Sequence, residues 1–206
     1  MNYEFPKIEH INDVIPHIKN YSEFIISDKN DYKAINYVVS KQETFSSADI
    51  KNDIGAQIRR ECRGLIFDKN GKIVRRSYQK FFNINEKDET QSNKIDLTQN
   101  HIILEKLDGS MITPIYINDG FRFTTKMGIT DTSINSEKWV LTKSNYIDFV
   151  NQVYFRNFTP IFEWCSRSNR IVIDYPEDRL VLTGIRNTLT GKYTSYEDIK
   201  YISNTS

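Results

Sequence analysis

Cysteine and histidine are scarce, and no hydrophobic run is long. The 206-residue chain has two cysteines, Cys62 and Cys165, far apart and without the paired spacing of a disulfide framework or a zinc site. Reduced thiols of a cytosolic protein are the simplest reading. His10, His17 and His101 show no ligand spacing either, so no protein-built metal site is expected. No apolar run is long enough to cross a bilayer, and the N-terminal "MNYEFPKIEH" lacks the basic-then-apolar order of a secretory signal. No membrane partner is expected, and a cytoplasmic location is. Internal repeats and low-complexity segments are absent. So is an excess of charge: 28 Lys and Arg face 27 Asp and Glu, a formal charge of +1. That excludes a binder relying on bulk positive charge and leaves room for a local basic groove.

What is present suits a globular protein. Hydrophobic residues make up 38% and charged residues 27%, enough for a real core. The length suits one domain, taken here as 1–206. Aromatics reach 13%, with 12 Tyr and 12 Phe, which favour strands and can stack on bases.

Periodicity predicts a helix after a cap at Asn12 or Asp13, with Val14, Ile15, Ile18, Tyr21, Phe24 and Ile25 on its apolar face. "AINYVV" (34–39) predicts a strand. Leu65–Phe67 and Lys72–Arg76 flank Asn70-Gly71, a strong hairpin signal. Residues 85–100 read as a loop apart from "KIDL". "HIILEK" (101–106), "SMITPIYI" (110–117) and "FRFTTK" (121–126) predict three strands joined by turns at Asp108-Gly109 and Asn118-Asp119-Gly120. A helix is predicted from Ser136, with Trp139 to Tyr154 supplying its apolar face. Strands follow at 160–165, 170–175 and 179–186, and Ser195-x-x-Asp198 opens a last helix. The fold class is α+β, antiparallel sheets flanked by helices.

Lys106 stands two residues before Asp108-Gly109, at the end of an apolar run. A lysine becomes a nucleophile when cations or a dry pocket lower its pKa. A glycine beside it lets the backbone come close to a phosphate. Asp108 could orient the amine or help hold a metal ion. By itself K-x-D-G equally describes a solvated lysine beside an ordinary hairpin turn. Five segments in order shift that balance: "ECRGLIFD" (61–68), "KFFNINE" (80–86), "KLDGS" (106–110), "TTKMG" (124–128) and "FEWCSRSNRIVIDY" (162–175).

Together, from about Tyr37 to "NTLTGKYTSYEDI", these segments resemble the ATP-dependent, tRNA-repairing RNA ligases of T-even bacteriophages. The resemblance implies the adenylylation domain of the covalent nucleotidyltransferases, an ATP-grasp-like fold. It implies ATP and Mg2+ as cofactors, with Lys106 attacking the α-phosphate to form lysyl-AMP. The partner would be RNA, possibly tRNA, with 5′-phosphate and 3′-hydroxyl ends, in the host-cell cytoplasm if the protein is viral. Met111 stands where DNA ligases and capping enzymes carry an arginine, which points to the tRNA-repair branch. By the same resemblance, Lys106 and Asp108 are catalytic. Tyr37, Arg63, Lys80, Phe82, Gly109, Lys126 and Glu163 bind the nucleotide, Phe82 by stacking and Glu163 through the ribose hydroxyls. Each has a plainer alternative: core packing for Phe82, an outward strand position for Glu163, surface charge for Arg63 and Lys126. Arg167 and Arg170 could approach RNA phosphates, although surface charge suffices to explain them.

The chain departs from the family pattern late. An E-G-x-V glutamate, a K-x-K lysine pair and the tRNA-selecting C-terminal domain are not found, so the domain is expected to be C-terminally incomplete. The chain would then be a truncated ligase, half of a split ligase completed by a second polypeptide or by self-association, or a noncatalytic nucleotide- or RNA-binding relative. A nucleotidyltransferase acting on something other than RNA is a further alternative. Ligation by this polypeptide alone is expected to be weak or absent.

Overall fold

A computed structural model describes residues 4–41, 43–45, 50 and 52–204. Two four-stranded antiparallel sheets carry the architecture. The first, in order β1-β2-β3-β4, is built from Phe24–Asp28, Tyr32–Tyr37, Arg63–Asp68 and Ile73–Arg75. The second, in order β6-β5-β7-β8, is built from Ser110–Ile117 (β5), Gly120–Thr124 (β6), Phe158–Cys165 (β7) and Arg179–Asn187 (β8). Helices α1 (Ile15–Ile18), α2 (Ile54–Glu61), α3 (Asp131–Val140), α4 (Ser144–Tyr154) and α5 (Tyr196–Asn204) complete the chain. The α+β reading holds. No helix among the described residues is long and apolar enough to cross a membrane.

Each sheet buries one face under helices. Ile35, Leu65, Phe67 and Ile73 of the first sheet meet Val14, Ile18, Phe45 and Ile58. Ile112, Phe123, Phe162, Trp164 and Leu180 of the second meet Val140, Phe149, Val150 and Val153. The other faces meet each other, where Tyr32, Ala34 and Ile66 pack against Ile115.

Several elements differ from expectation. Residues 24–25 begin β1 instead of ending a helix, because Phe24 to Asp28 find backbone partners across β2 from Tyr37 to Lys33. Among the described residues, a 3-10 turn (Ile11–Asp13) and the short helix α1 precede them. The single long helix expected from Ser136 is two, starting earlier at Asp131 under a Thr130 cap and broken before Ser144. Helix α2, capped by Asp53, was not expected. Segments 101–106 and 170–175 are not strands. Strand β5 already pairs with β6 through Thr113 to Ile117 and with β7 through Ser110 to Ile112. A hairpin at Asp108-Gly109 therefore finds no partner strand, and Ile102, Ile103 and Leu104 stay exposed.

One buried ion cluster ties the two sheets. Glu61, at the end of α2, accepts two bonds from Arg186 of β8, both at 2.7 Å, and one from Arg76 Nε at 3.0 Å. All three side chains are fully buried. The remaining donors reach backbone oxygens: Arg76 to Pro6 and Leu189, Arg186 to Ser77 and Gly191. Burial alone would raise the Glu61 carboxyl, but the Arg186 and Arg76 charges outweigh it and hold the group below its ordinary value. Glu61 thus contributes stability above the ordinary carboxylate pKa and loses it as pH falls through the folded value. Glu61→Gln leaves two buried cations facing a neutral amide, and should cost about 3–5 kcal/mol at neutral pH. Urea titrations should show that deficit shrinking under acid, where the parent also loses its carboxylate; a deficit constant with pH would assign it to packing instead.

Candidate functional site

A cavity of about 690 Å³ lies where β3, β5, β7 and the 104–111 segment converge. Its walls include Arg63, Lys106, Gly109, Lys126 and Glu163, five expected site residues from four distant stretches of chain. Tyr78, Phe81, Met111, Thr125, Thr130, Thr132 and Thr183 also line it. Lys106 is exposed on its open side, as is Lys126, while Arg63 and Glu163 are half-buried.

Local structure places each group. Arg63 opens β3, its carbonyl accepting from Ser77 Oγ at 2.6 Å and its Nη1 resting 3.8 Å from Met111 Sδ. Gly109 precedes β5, where Ser110 pairs with Trp164 and Met111 with Glu163. A Cβ at Gly109 would collide with the Trp164 carbonyl and crowd Glu163 Cγ. The glycine is needed for close approach to β7, and its N–H donates to Glu163. Lys126 tops a tight turn in which Thr125 N–H donates to Gly128 O at 2.9 Å and Gly128 N–H returns to Thr125 O at 3.0 Å. Gly128 holds φ +98°, a left-handed conformation that favours glycine.

The two carboxylates near Lys106 differ in kind. Burial pushes Glu163 above its ordinary pKa, although the Gly109 N–H and the Lys106 and Arg63 charges oppose the shift. Asp108 is held below its ordinary value, first by the N–H groups of Ile173 and Val172, with Lys106 adding to them. Its Oδ2 accepts those bonds at 2.7 and 2.6 Å, and its own N–H donates to Tyr175 Oη at 2.9 Å. Asp108 therefore pins the 170–175 segment to the lysine loop and does not line the cavity.

Three other expected residues also lie off the cavity wall. Tyr37 packs on Phe45 with ring centroids 5.1 Å apart, and Lys126 Nζ lies 5.5 Å from its ring, so it borders the site through that lysine. Phe82 turns toward the first core, 6.2 Å from Phe45, with Lys80 Nζ 4.6 Å and the Arg60 guanidinium 5.0 Å from its ring. Lys80 lies 3.8 Å from Glu86. Phe81, its neighbour in "KFF", is the exposed ring on the cavity, 5.0 Å from the Arg63 guanidinium. Tyr78 meets Phe81 edge-on at 6.3 Å. Neither was singled out from the sequence. The paired phenylalanines signalled an aromatic at the site, but which ring faces it depends on the neighbouring core. Arg167 and Arg170 both face Asp174, at 3.3 and 3.9 Å.

No group of three or more His, Cys, Asp or Glu side chains that could hold a metal ion occurs among the described residues. A family model described as RNA ligase matches residues 61–205. The chain belongs to this RNA ligase family, of the T4 type. It is also 29% identical over 172 residues to a "Putative RNA ligase" of Thermovibrio ammonificans, an alignment covering 82% of this chain and 43% of that protein. The chain thus spans less than half the length of that curated relative.

The fit at Gly109 carries a prediction. Gly109→Ala must separate the start of β5 from β7 at Trp164. It should destabilise by about 1–3 kcal/mol in urea titrations, the usual range for overpacking. A variant of unchanged stability would mean that the two strands part freely there.

Proposed function

We propose that the chain is the adenylylation portion of an ATP-dependent RNA ligase, with Lys106 as its nucleophile. The observation that carries this reading is the convergence of Lys106, Arg63, Lys126, Glu163 and Gly109 on one cavity. The RNA ligase family membership supports it. A triphosphate needs cations, and Arg63 and Lys126 line this wall beside the Lys106 amine. A ribose needs an acceptor, and Glu163 supplies a carboxylate held there by the Gly109 N–H.

In the proposed reaction, Lys106 gives up a proton to solvent and its Nζ lone pair attacks the α-phosphorus of ATP. A P–N bond forms as the bond to the bridging oxygen breaks, and pyrophosphate leaves with the electron pair. Arg63 and Lys126 face the charge that builds on the phosphates. A 5′-phosphate oxygen of the RNA then displaces the lysine, capping that end with AMP. Attack by the 3′-hydroxyl of the other end forms the phosphodiester and expels AMP. Mg2+ would arrive with the nucleotide, held by phosphate oxygens and water, with Glu105 a carboxylate on the wall. Phe81 offers a ring at the cavity on which adenine can stack, in the place first assigned to Phe82. Lys80 and Tyr37 act from behind Phe82 and Lys126. Asp108 holds the lysine loop. A tRNA is the substrate that the motif order around Met111 favours.

A second reading is half of a split ligase, or a binding subunit completed by a partner. The exposure of Ile103 (87%) and Val172 (72%), on neighbouring segments joined through Asp108, favours it. A second polypeptide or another copy bringing E-G-x-V and K-x-K strands would cover such surface and add two cations to the site.

Incubation with α-labelled ATP and Mg2+, followed by denaturing electrophoresis, tests the first reading. Label should survive denaturation in the parent and vanish in Lys106→Arg, which keeps the charge but has no free amine. Labelling of Lys106→Arg at the parental level removes Lys106 as nucleophile. A parent that binds ATP yet takes no label favours the second reading.

Glu163→Gln should weaken ATP more than 2′-deoxy-ATP, because the latter already lacks one hydroxyl partner. Calorimetry on both nucleotides decides, and equal losses would make Glu163 a structural residue.

A further inference from the structure

Arg75, the last residue of β4, is fully buried and makes no ion pair with a carboxylate among the described residues. It pairs with Ile66 across β3, next to a register shift that turns it toward the second sheet. There its Nη1 donates to Thr125 O at 2.8 Å. Its Nε and Nη2 have no hydrogen-bond partner among the described residues. Burial, and then the nearby Arg63 charge, lower its pKa to about 9, so it remains a cation at neutral pH.

As a stabiliser of the fold, this arrangement is poor. A buried guanidinium with two unmet donors is costly, and apolar residues of similar volume usually serve as well or better. The bond it makes is not required by its acceptor, because Thr125 O already receives the Gly128 N–H. What Arg75 does touch is the turn carrying Lys126. The first sheet meets that turn at several points: Tyr32 Oη accepts from Ile129 N at 2.9 Å, Asn36 Nδ2 lies 2.9 Å from Met127 Sδ, and Gly64 leaves room for the Lys126 backbone. Arg75 is the one charged member of that set.

We propose that Arg75 is a positioning residue for the cavity, holding the Thr125–Gly128 turn against the first sheet so that Lys126 is presented to the phosphates of a bound nucleotide. The nucleotide part rests on the function proposed above; the turn-holding part does not. Arg75 acts through Lys126 and does not itself line the cavity.

Arg75→Met keeps the bulk and removes the charge and the unmet donors. Its global stability in urea should equal or exceed the parent's. Hydrogen exchange in the free protein should nevertheless quicken at the Thr125 and Gly128 amides. ATP affinity by calorimetry should fall about tenfold to a hundredfold, the scale of losing one hydrogen bond to a charged group. The loss should not add to that of Lys126→Ala in the double variant, and Arg75→Lys, which keeps one donor, should recover part of it. Unchanged exchange at the two turn amides overturns the proposal, as do losses that add fully in the double variant. A variant that is globally destabilised, with exchange faster throughout, makes Arg75 structural and overturns it too. If the parent binds no ATP, the ligase reading fails, and the exchange measurement alone decides whether Arg75 holds the turn.

Discussion

The buried cluster of Glu61, Arg76 and Arg186 is the constraint on which the rest depends. Glu61 ends α2 on the first sheet's side, Arg186 belongs to β8 of the second, and Arg76 follows β4. One carboxylate therefore sets how the two sheets meet. The Arg186 guanidinium lies 4.8 Å from the Phe5 ring and 4.7 Å from the Tyr193 ring, so its faces as well as its edges are occupied. Ion clusters of this kind are inefficient stabilisers next to well-packed apolar groups, but their directional bonds tolerate few alternative geometries. The cluster also reaches the cavity. Arg186 Nη1 holds Ser77 O at 2.7 Å, and Ser77 Oγ holds Arg63 O at 2.6 Å, so two bonds separate the buried charge from a side chain on the cavity wall.

Close backbone approach is the second device that shapes the site. Gly109 lets the lysine loop touch β7, and Gly64 lets the Lys126 turn touch β3. Both lysines reach the same cavity because two glycines remove the methyl groups that would hold the chain away. Their carboxylate neighbours are set apart by surroundings. Glu163, shielded from water, is pushed toward its neutral form. Asp108, given two backbone donors, is pushed toward its charged form. Two carboxylates thereby suit different tasks, Glu163 facing the cavity and Asp108 fastening the 170–175 segment.

The apolar segments 101–106 and 170–175 show what that fastening leaves undone. Both have strand-like composition and neither has a strand to pair with among the described residues. Asp108 joins them by hydrogen bonds without covering Ile103 or Val172. Exposed β-prone chain beside an open cavity is an edge left without a partner strand among the described residues.

The sequence by itself determined the antiparallel α+β class, the Asn70-Gly71 hairpin and strands at 110–117, 160–165 and 179–186, through local signals: alternation and turn residues. Five residues that line one cavity were marked out by the resemblance of an ordered motif set, not by any local pattern. Tertiary structure alone decided the rest. Residues 101–106 and 170–175 have strand composition, yet a strand exists only where another backbone supplies partners, and β5 had already found its own in β6 and β7. Phe81 and Phe82 are chemically alike, and only the core around Phe45 selects which one faces the cavity. No local pattern around Glu61, Arg75, Arg76 or Arg186 marks those charges for burial. The contacts that bury Glu61, Arg76 and Arg186 join stretches more than a hundred residues apart, and the Arg75 bond to Thr125 spans 50, separations that no local pattern records.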